Sequence, residues 1–231
     1  MATRIPYPKL FQAMLNLHGF VSETSLCSLM IRYHPNASEE IGVNLLNRFV
    51  FDHADEFEFR KTEKHGMFAF KKGALDISID TFIKHFVAGH KLYLYVPKKE
   101  DEFLKYSSSY DENPEAYVDD KVLNDFRIFL KYVIKKPADF KRFCEASLKY
   151  APRMDIKGLK SEFSRFPIPD SKLEDYLRLY YAVLNHLRRP NYGGFTLDEL
   201  SALFGVETIM DCEPFENAAL SFGFYEHFRL S

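Results

Sequence analysis

The sequence predicts a mainly α-helical chain with small β-hairpins, an α+β protein, and three observations carry that reading. Apolar residues recur at helical spacing through residues 8–50. The period then switches to two across residues 57–71, around a polar turn. Beyond residue 118 the helical period returns and dominates the rest of the chain.

Leu10, Phe11, Met14, Leu15 and Leu17 form the stripe of a first helix, with Gln12 and Asn16 opposite. Gly19 can take the left-handed conformation that ends it. Phe20 and Val21 make a short strand, and Ser22 or Thr24 caps a second helix striped by Leu26, Leu29, Met30 and Tyr33. His34, Pro35 and Asn36 stop that helix, because proline has no backbone N–H to donate. A third helix opens with Asn36 three residues before Glu39, in the manner of a capping box, and is expected to bury Ile41, Leu45, Leu46, Phe49 and Val50. Phe57 and Phe59 then alternate with Glu58 and Arg60, and Phe68 and Phe70 with Ala69 and Lys71. Residues 61–66 are polar and end in glycine, as a hairpin loop requires. All four phenylalanines are expected to pack from one hairpin onto Leu45, Leu46 and Phe49. Helix, strand, helix, helix and hairpin is the element order of a winged helix.

The glycine-ended first helix, the short apolar strand and the third helix leading through Phe57-Glu58-Phe59 into a hairpin resemble the LOTUS (OST-HTH) winged helices. Residues 8–72 also resemble the N-terminal winged helix of Egalitarian-type RNA-transport proteins. The resemblance implies work in RNA regulation, either by touching RNA or by docking a protein such as a helicase.

The chain has 231 residues, of which 46% are hydrophobic and 28% charged, with a formal net charge of -2. That length supports a sizeable core, as one large domain or two small ones. Twenty-three phenylalanines and no tryptophan point to helices packed on bulky rings. Near-neutrality argues against non-specific duplex DNA binding, which needs a strong positive field, but leaves room for a local basic patch. Cys27, Cys144 and Cys212 are far apart and odd in number, so reduced thiols are expected and a disulfide framework or zinc site is not. No apolar run reaches the length of a membrane span, and the N-terminus lacks the apolar core of a signal peptide. A cytoplasmic or nuclear setting is expected.

Ile77 and Ile79 either extend the sheet or lead into a helix carrying Phe82, Ile83, Phe86 and Val87. Leu92, Leu94 and Val96 read as a strand that Pro97 ends. Residues 107–115 are the most loop-like stretch. The expected organisation is therefore a winged-helix domain with a C-terminal extension over 1–106, a linker over 107–118, and a helical domain over 119–231. In that last part Asp119 or Asp120 caps a helix striped by Val122, Leu123, Phe126, Phe129, Leu130 and Val133. Pro137 opens another, with Phe140, Phe143, Cys144 and Leu148, and a shorter segment carries Leu159, Phe163 and Phe166. Ser171 and Glu174 read as a capping box at the head of the longest helix, and Thr196 and Glu199 as a second box. The glycine break and aromatic at 192–198 echo residues 17–23, which suggests a second, degenerate winged helix after Ser171.

No constellation announces catalysis. His85 and His90 are five apart with Asp80 upstream, which is not the four-residue spacing of a helical metal pair. Asp52, His53, Asp55 and Glu56 read as a solvated helix end. Cys27 and Cys144 have no adjacent histidine to activate them. Gly193 and Gly194 follow a helix, not a strand, and so make no phosphate loop. Thr62, Glu63 and Lys64 fall in a turn and lack the spacing of a divalent-metal nuclease. No cofactor, metal or small-molecule substrate is expected.

Two basic clusters stand out. Arg60, Lys61, Lys64, Lys71 and Lys72 lie on or beside the wing, and Arg48 projects from the third helix, so these six are the candidate nucleic-acid contacts. The other gathers Lys135, Lys136, Lys141, Arg142, Arg188 and Arg189. Phe215, Phe222, Phe224, Tyr225 and Phe228 are the candidate protein-binding patch, having more large rings than one short strand can bury. The expected function is a non-enzymatic adaptor that joins protein partners in an RNA-regulatory assembly, for RNA silencing or RNA transport. A winged helix that binds RNA or DNA directly is the alternative, and a metal-dependent nuclease stands behind both.

Overall fold

A computed structural model describes residues 6–33, 38–62, 66–75, 78–82, 94–153, 155–190 and 193–204. Nine α-helices and one three-stranded antiparallel sheet are described. They fall into two compact units. The first takes the described residues up to 109 together with those of 189–195, and the second those of 110–188 and 196–204.

In the first unit α1 (Tyr7–His18) ends at Gly19, whose φ of 75° is the left-handed region that side chains resist. The short strand β1 (Phe20–Ser22) leads into α2 (Glu23–Tyr33), where Ser22 Oγ accepts the Ser25 N–H at 3.0 Å as a cap should. Helix α3 (Glu39–Asp52) starts with Ser38 at its N-cap and without a side-chain cap bond. Asn36, expected to open it, lies outside the described residues. Strands β2 (Phe57–Thr62) and β3 (Gly66–Lys71) form the hairpin, and β1 adds to it in the order β1-β3-β2. The element order and the strand order are those of a winged helix.

Two expectations about its packing are corrected. Ile41 and Leu45 are exposed, at 57% and 36%. The buried stripe of α3 is instead Gly42, Leu46, Phe49 and Val50. Gly42 sets that register: a Cβ there would sit 1.9 Å from Met30 Sδ, so α2 and α3 approach at the one position with no side chain. The hairpin also divides its rings between two faces. Phe57 pairs with Lys71 and Phe59 with Ala69, whereas Phe68 opposes Arg60 and Phe70 opposes Glu58. Directly opposed residues share a face, so the two phenylalanine pairs point to opposite sides. Phe57 meets Phe49 of α3, with ring centroids 5.6 Å apart. Phe68 and Phe70 cluster with Phe20 and with Phe82 of α4 (Ile79–Phe82), backed by Leu75, Ile79 and Leu94.

Helix α1 is covered nearly all round. Leu10, Phe11, Ala13, Met14, Leu15, Asn16, Leu17 and His18 are all buried. A 3-10 helix at Glu100–Tyr106 packs Phe103 against it. Residues 94–97, expected as the end of a strand, are irregular, although Tyr95 N–H donates to Gly193 O at 2.8 Å. The returning segment also presses on α1: a Cβ on Gly194 would lie 2.9 Å from Leu17 Cγ and from His18 Cδ2.

Asn16 is the polar centre of this packing. Its Nδ2 donates to the carbonyls of Tyr106 at 2.9 Å and Ser107 at 3.2 Å, and its Oδ1 accepts from the Lys71 ammonium. A buried amide is tolerated because its donors and acceptor are used.

The second unit is helical. Asp119 caps α5 (Asp120–Val133) by accepting the Lys121 and Val122 N–H groups. Helices α6 (Pro137–Tyr150), α7 (Ile156–Ser161), α8 (Leu173–Asn185) and α9 (Leu197–Phe204) come next along the chain. Phe126, Phe143, Tyr176 and Tyr180 are fully buried and stack through one another, with centroids 5.6–6.0 Å apart. Residues 110–118, read as linker, belong to this packing: Tyr117 is buried and its carbonyl accepts Arg188 N–H at 2.8 Å. Val118 bridges to Leu187.

The box at Thr196 forms as expected: Glu199 N–H donates to Thr196 Oγ1 at 3.2 Å, and Thr196 N–H to Glu199 Oε2 at 3.0 Å. The box at Ser171 does not form. Ser171 lies inside a 3-10 turn (Asp170–Lys172), α8 starts at Leu173, and at 13 residues it is shorter than the 14-residue α3, α5 and α6. Residues 195 and 196 form no strand, and residues 205–231 lie outside the described residues.

Asn16→Ala should destabilise the first unit by about 1–3 kcal/mol, because two buried carbonyls lose their donor. Phe49→Ala should cost about 3–5 kcal/mol by emptying a ring-sized site against Phe11 and Phe57. Denaturant unfolding of the full chain measures both. Wild-type stability in both variants would contradict this packing.

Candidate functional site

The outer face of α3 is set by the register that Gly42 imposes. At about 100° per residue, Ile41, Leu45, Arg48 and Asp52 fall in one stripe flanked by Phe51. Phe51 is 80% exposed, the most open of the large apolar side chains. Arg48 Nε lies 3.7 Å from Asp52 Oδ2 in a solvent-exposed pair, which contributes little to stability but supplies the cation with a counter-charge. The face therefore carries large apolar side chains beside one arginine that is matched from within the same helix.

The wing places its cations differently from the sequence expectation. Arg60 lies 3.3 Å from Glu58 Oε2 and 3.9 Å from Asp80 Oδ1. Lys71 reaches inward to Asn16. Lys72 Nζ donates to Ala54 O at 2.7 Å and its N–H to Glu56 O at 2.9 Å, closing the hairpin onto the end of α3. Lys61 is exposed, with no ion pair among the described residues, and Lys64 lies outside them. Of the six candidate contacts, Lys61 is thus the described one left to meet a phosphate unaided, where a nucleic-acid backbone calls for several.

Phe215, Phe222, Phe224, Tyr225 and Phe228 lie outside the described residues, as do His85 and His90. His53 belongs to a helix cap: its Nδ1–H donates to Phe49 O at 2.8 Å, and its backbone N–H to Phe49 O and Val50 O. Cys144 is buried, and desolvation pushes its thiol above the ordinary range, away from a reactive thiolate. Cys27 is half-buried and in no disulfide with a described residue. Among the described residues no group of three or more His, Cys, Asp or Glu could hold a metal ion, and no helix is long and apolar enough to cross a membrane.

In the second unit a cleft of about 530 Å³ opens between residues 110–115 and α6. Its wall is carboxylate-rich, and three of those carboxylates have basic or hydroxyl partners. Glu162 accepts Lys149 Nζ at 2.8 Å and Tyr150 OH at 2.7 Å, and the hydrogen bond from Lys149 holds its carboxyl below the usual range. Glu115 pairs with Arg127. Glu145 lies 3.8 Å from Lys141. This arrangement ties loops to α6 and offers no nucleophile–base pair.

The basic residues grouped by the sequence are dispersed. Arg188 forks onto Glu199 at 2.7 and 2.8 Å, holding α8 to α9, and Arg189 is buried. Arg142 donates to Glu162 O and covers the Phe163 ring at 4.8 Å. The sequence reading missed the outer face of α3. Its signal was present: Gly42 in mid-helix and Phe51 off the expected stripe.

Lys71→Ala should lower stability by about 1–3 kcal/mol by removing a charge-assisted bond to buried Asn16, whereas Lys61→Ala should fall within about 0.5 kcal/mol of wild type. Thermal unfolding of the two variants side by side checks the assignment, and equal effects would overturn it.

Comparison of the chain with protein-family models, curated proteins and solved structures found no significant match.

Proposed function

We propose that this chain is a non-catalytic adaptor of an RNA-regulatory assembly and that the outer face of α3 receives a protein partner. The carrying observation is the exposed stripe Ile41, Leu45 and Phe51 on the helix that a winged helix holds out towards its ligand. A helix face meant for phosphate would carry unmatched cations, whereas this one carries large apolar groups. Burying a wholly exposed side chain of this kind yields about 1.5–3 kcal/mol, so Phe51 at 80% exposure offers most of that and Leu45 at 36% the least. The paired and inward-turned cations of the wing weigh against the alternative, direct nucleic-acid binding through that hairpin.

The RNA-regulatory setting rests on the resemblance of residues 8–72 to LOTUS (OST-HTH) and Egalitarian-type winged helices. A cytoplasmic or nuclear location is part of the same proposal.

The test compares the wild-type chain with the double variant Ile41→Glu, Phe51→Glu in pull-downs from native extract, with and without RNase. Both substituted positions are exposed, so the unfolding temperature should stay at the wild-type value. Partners that survive RNase and are lost with the double variant are the expected result. Retention by the variant, or release by RNase, would overturn the proposal.

A further inference from the structure

The exposed face of α5 carries a second set of large side chains, Ile128 at 60% and Tyr132 at 66% exposure, one helical turn apart. Lys131, Lys135 and Lys136 lie beside Tyr132 in sequence, and all three are exposed. None has an ion pair among the described residues. Lys135 Nζ lies 4.9 Å from the centre of the Tyr132 ring. Across residues 131–142 the cations Lys131, Lys135, Lys136, Lys141 and Arg142 face the single carboxylate Asp139. Lys141 and Arg142 are engaged with Glu145 and with Glu162 and Phe163, so the unmatched charge gathers around the tyrosine. Asp125, two turns before Tyr132 on the same face, bounds the patch on its N-terminal side.

We propose that this corner, where α5 ends and α6 begins, is a platform for single-stranded nucleic acid. One base stacks on the open face of Tyr132, and Lys131, Lys135 and Lys136 meet the neighbouring phosphates. Two features select that ligand. An aromatic ring open to solvent and flanked by unpaired cations matches the alternation of base and phosphate along a single strand. Ile128 alone offers too little apolar surface for a protein helix. In a duplex the bases are stacked on one another, so the ring would go unused. The platform uses residues separate from α3 and from the wing.

The test is fluorescence anisotropy of the full chain with a labelled oligouridylate of about 12 nucleotides, a length within the usual site sizes, across a salt series. Three phosphate contacts predict a slope of log affinity against log salt of about -2 on single strands. Changing the three lysines together to alanine should flatten that slope and remove most of the affinity. Tyr132→Ala should weaken binding about tenfold with the slope unchanged, and Tyr132→Phe should bind as wild type. All substituted side chains are exposed, and circular dichroism checks that each variant is folded. The α3 double variant should bind the oligonucleotide normally, which separates this result from the adaptor test. Absence of binding by the wild-type chain overturns the proposal. So does wild-type affinity in Tyr132→Ala, or equal displacement by polyglutamate, either of which would reduce the corner to a generic polyanion patch.

Discussion

The first unit depends on the covering of α1. A helix with one apolar stripe needs one neighbour, but Leu10, Phe11, Ala13, Met14, Leu15 and Leu17 leave almost no face of this one fit for water. Helix α3, the sheet and the 3-10 helix at Glu100–Tyr106 each take part of its surface. Asn16 makes the arrangement specific. Its amide joins residues some ninety positions apart and engages the ammonium of Lys71, so α1, β3 and the end of the 3-10 helix are fixed by one polar group. A buried amide with its bonds made tolerates few alternative packings, since displacement leaves several groups unsatisfied at once.

This requirement explains why the first unit is not a contiguous stretch of chain. Gly194 can pass close to Leu17 and His18 because it carries no side chain, and the φ values of Gly193 and Gly194, 59° and 81°, suit glycine. His18 Nε2–H donates to Tyr95 O at 2.8 Å, and Tyr95 N–H donates in turn to Gly193 O. The same glycines that read locally as a helix stop thus serve as a close-approach point for α1.

The placement of charge separates structural from functional cations. Lys71, Lys72 and Arg188 donate to groups within the fold, and Arg60 is matched by neighbouring carboxylates. Among the described residues, an apolar group of side chains on α3 and a cation-flanked tyrosine on α5 stay open to solvent. These surfaces differ in chemistry, so they suit different classes of partner: apolar area drives protein association without direction, while stacking and counterion release favour a single strand.

The sequence by itself determined the local elements of this protein. The first helix, its glycine stop at 19, the cap at Asp119, the box at Thr196 and the hairpin all rest on interactions within a few residues, and these form as the sequence predicts. Tertiary structure decided which way each element faces. The stripe of α3 turned because Gly42 must meet Met30, a contact that the periodicity of α3 alone could not show. The hairpin split its phenylalanines because strand register, not composition, assigns each ring to a face. The capping box at Ser171 gave way to a 3-10 turn, and Arg60, Lys71 and Lys72 were drawn into an ion pair, a side-chain amide bond and a carbonyl bond. Local propensity is written in neighbouring residues. Orientation and charge pairing arise between residues distant in sequence, and only the folded chain brings those together.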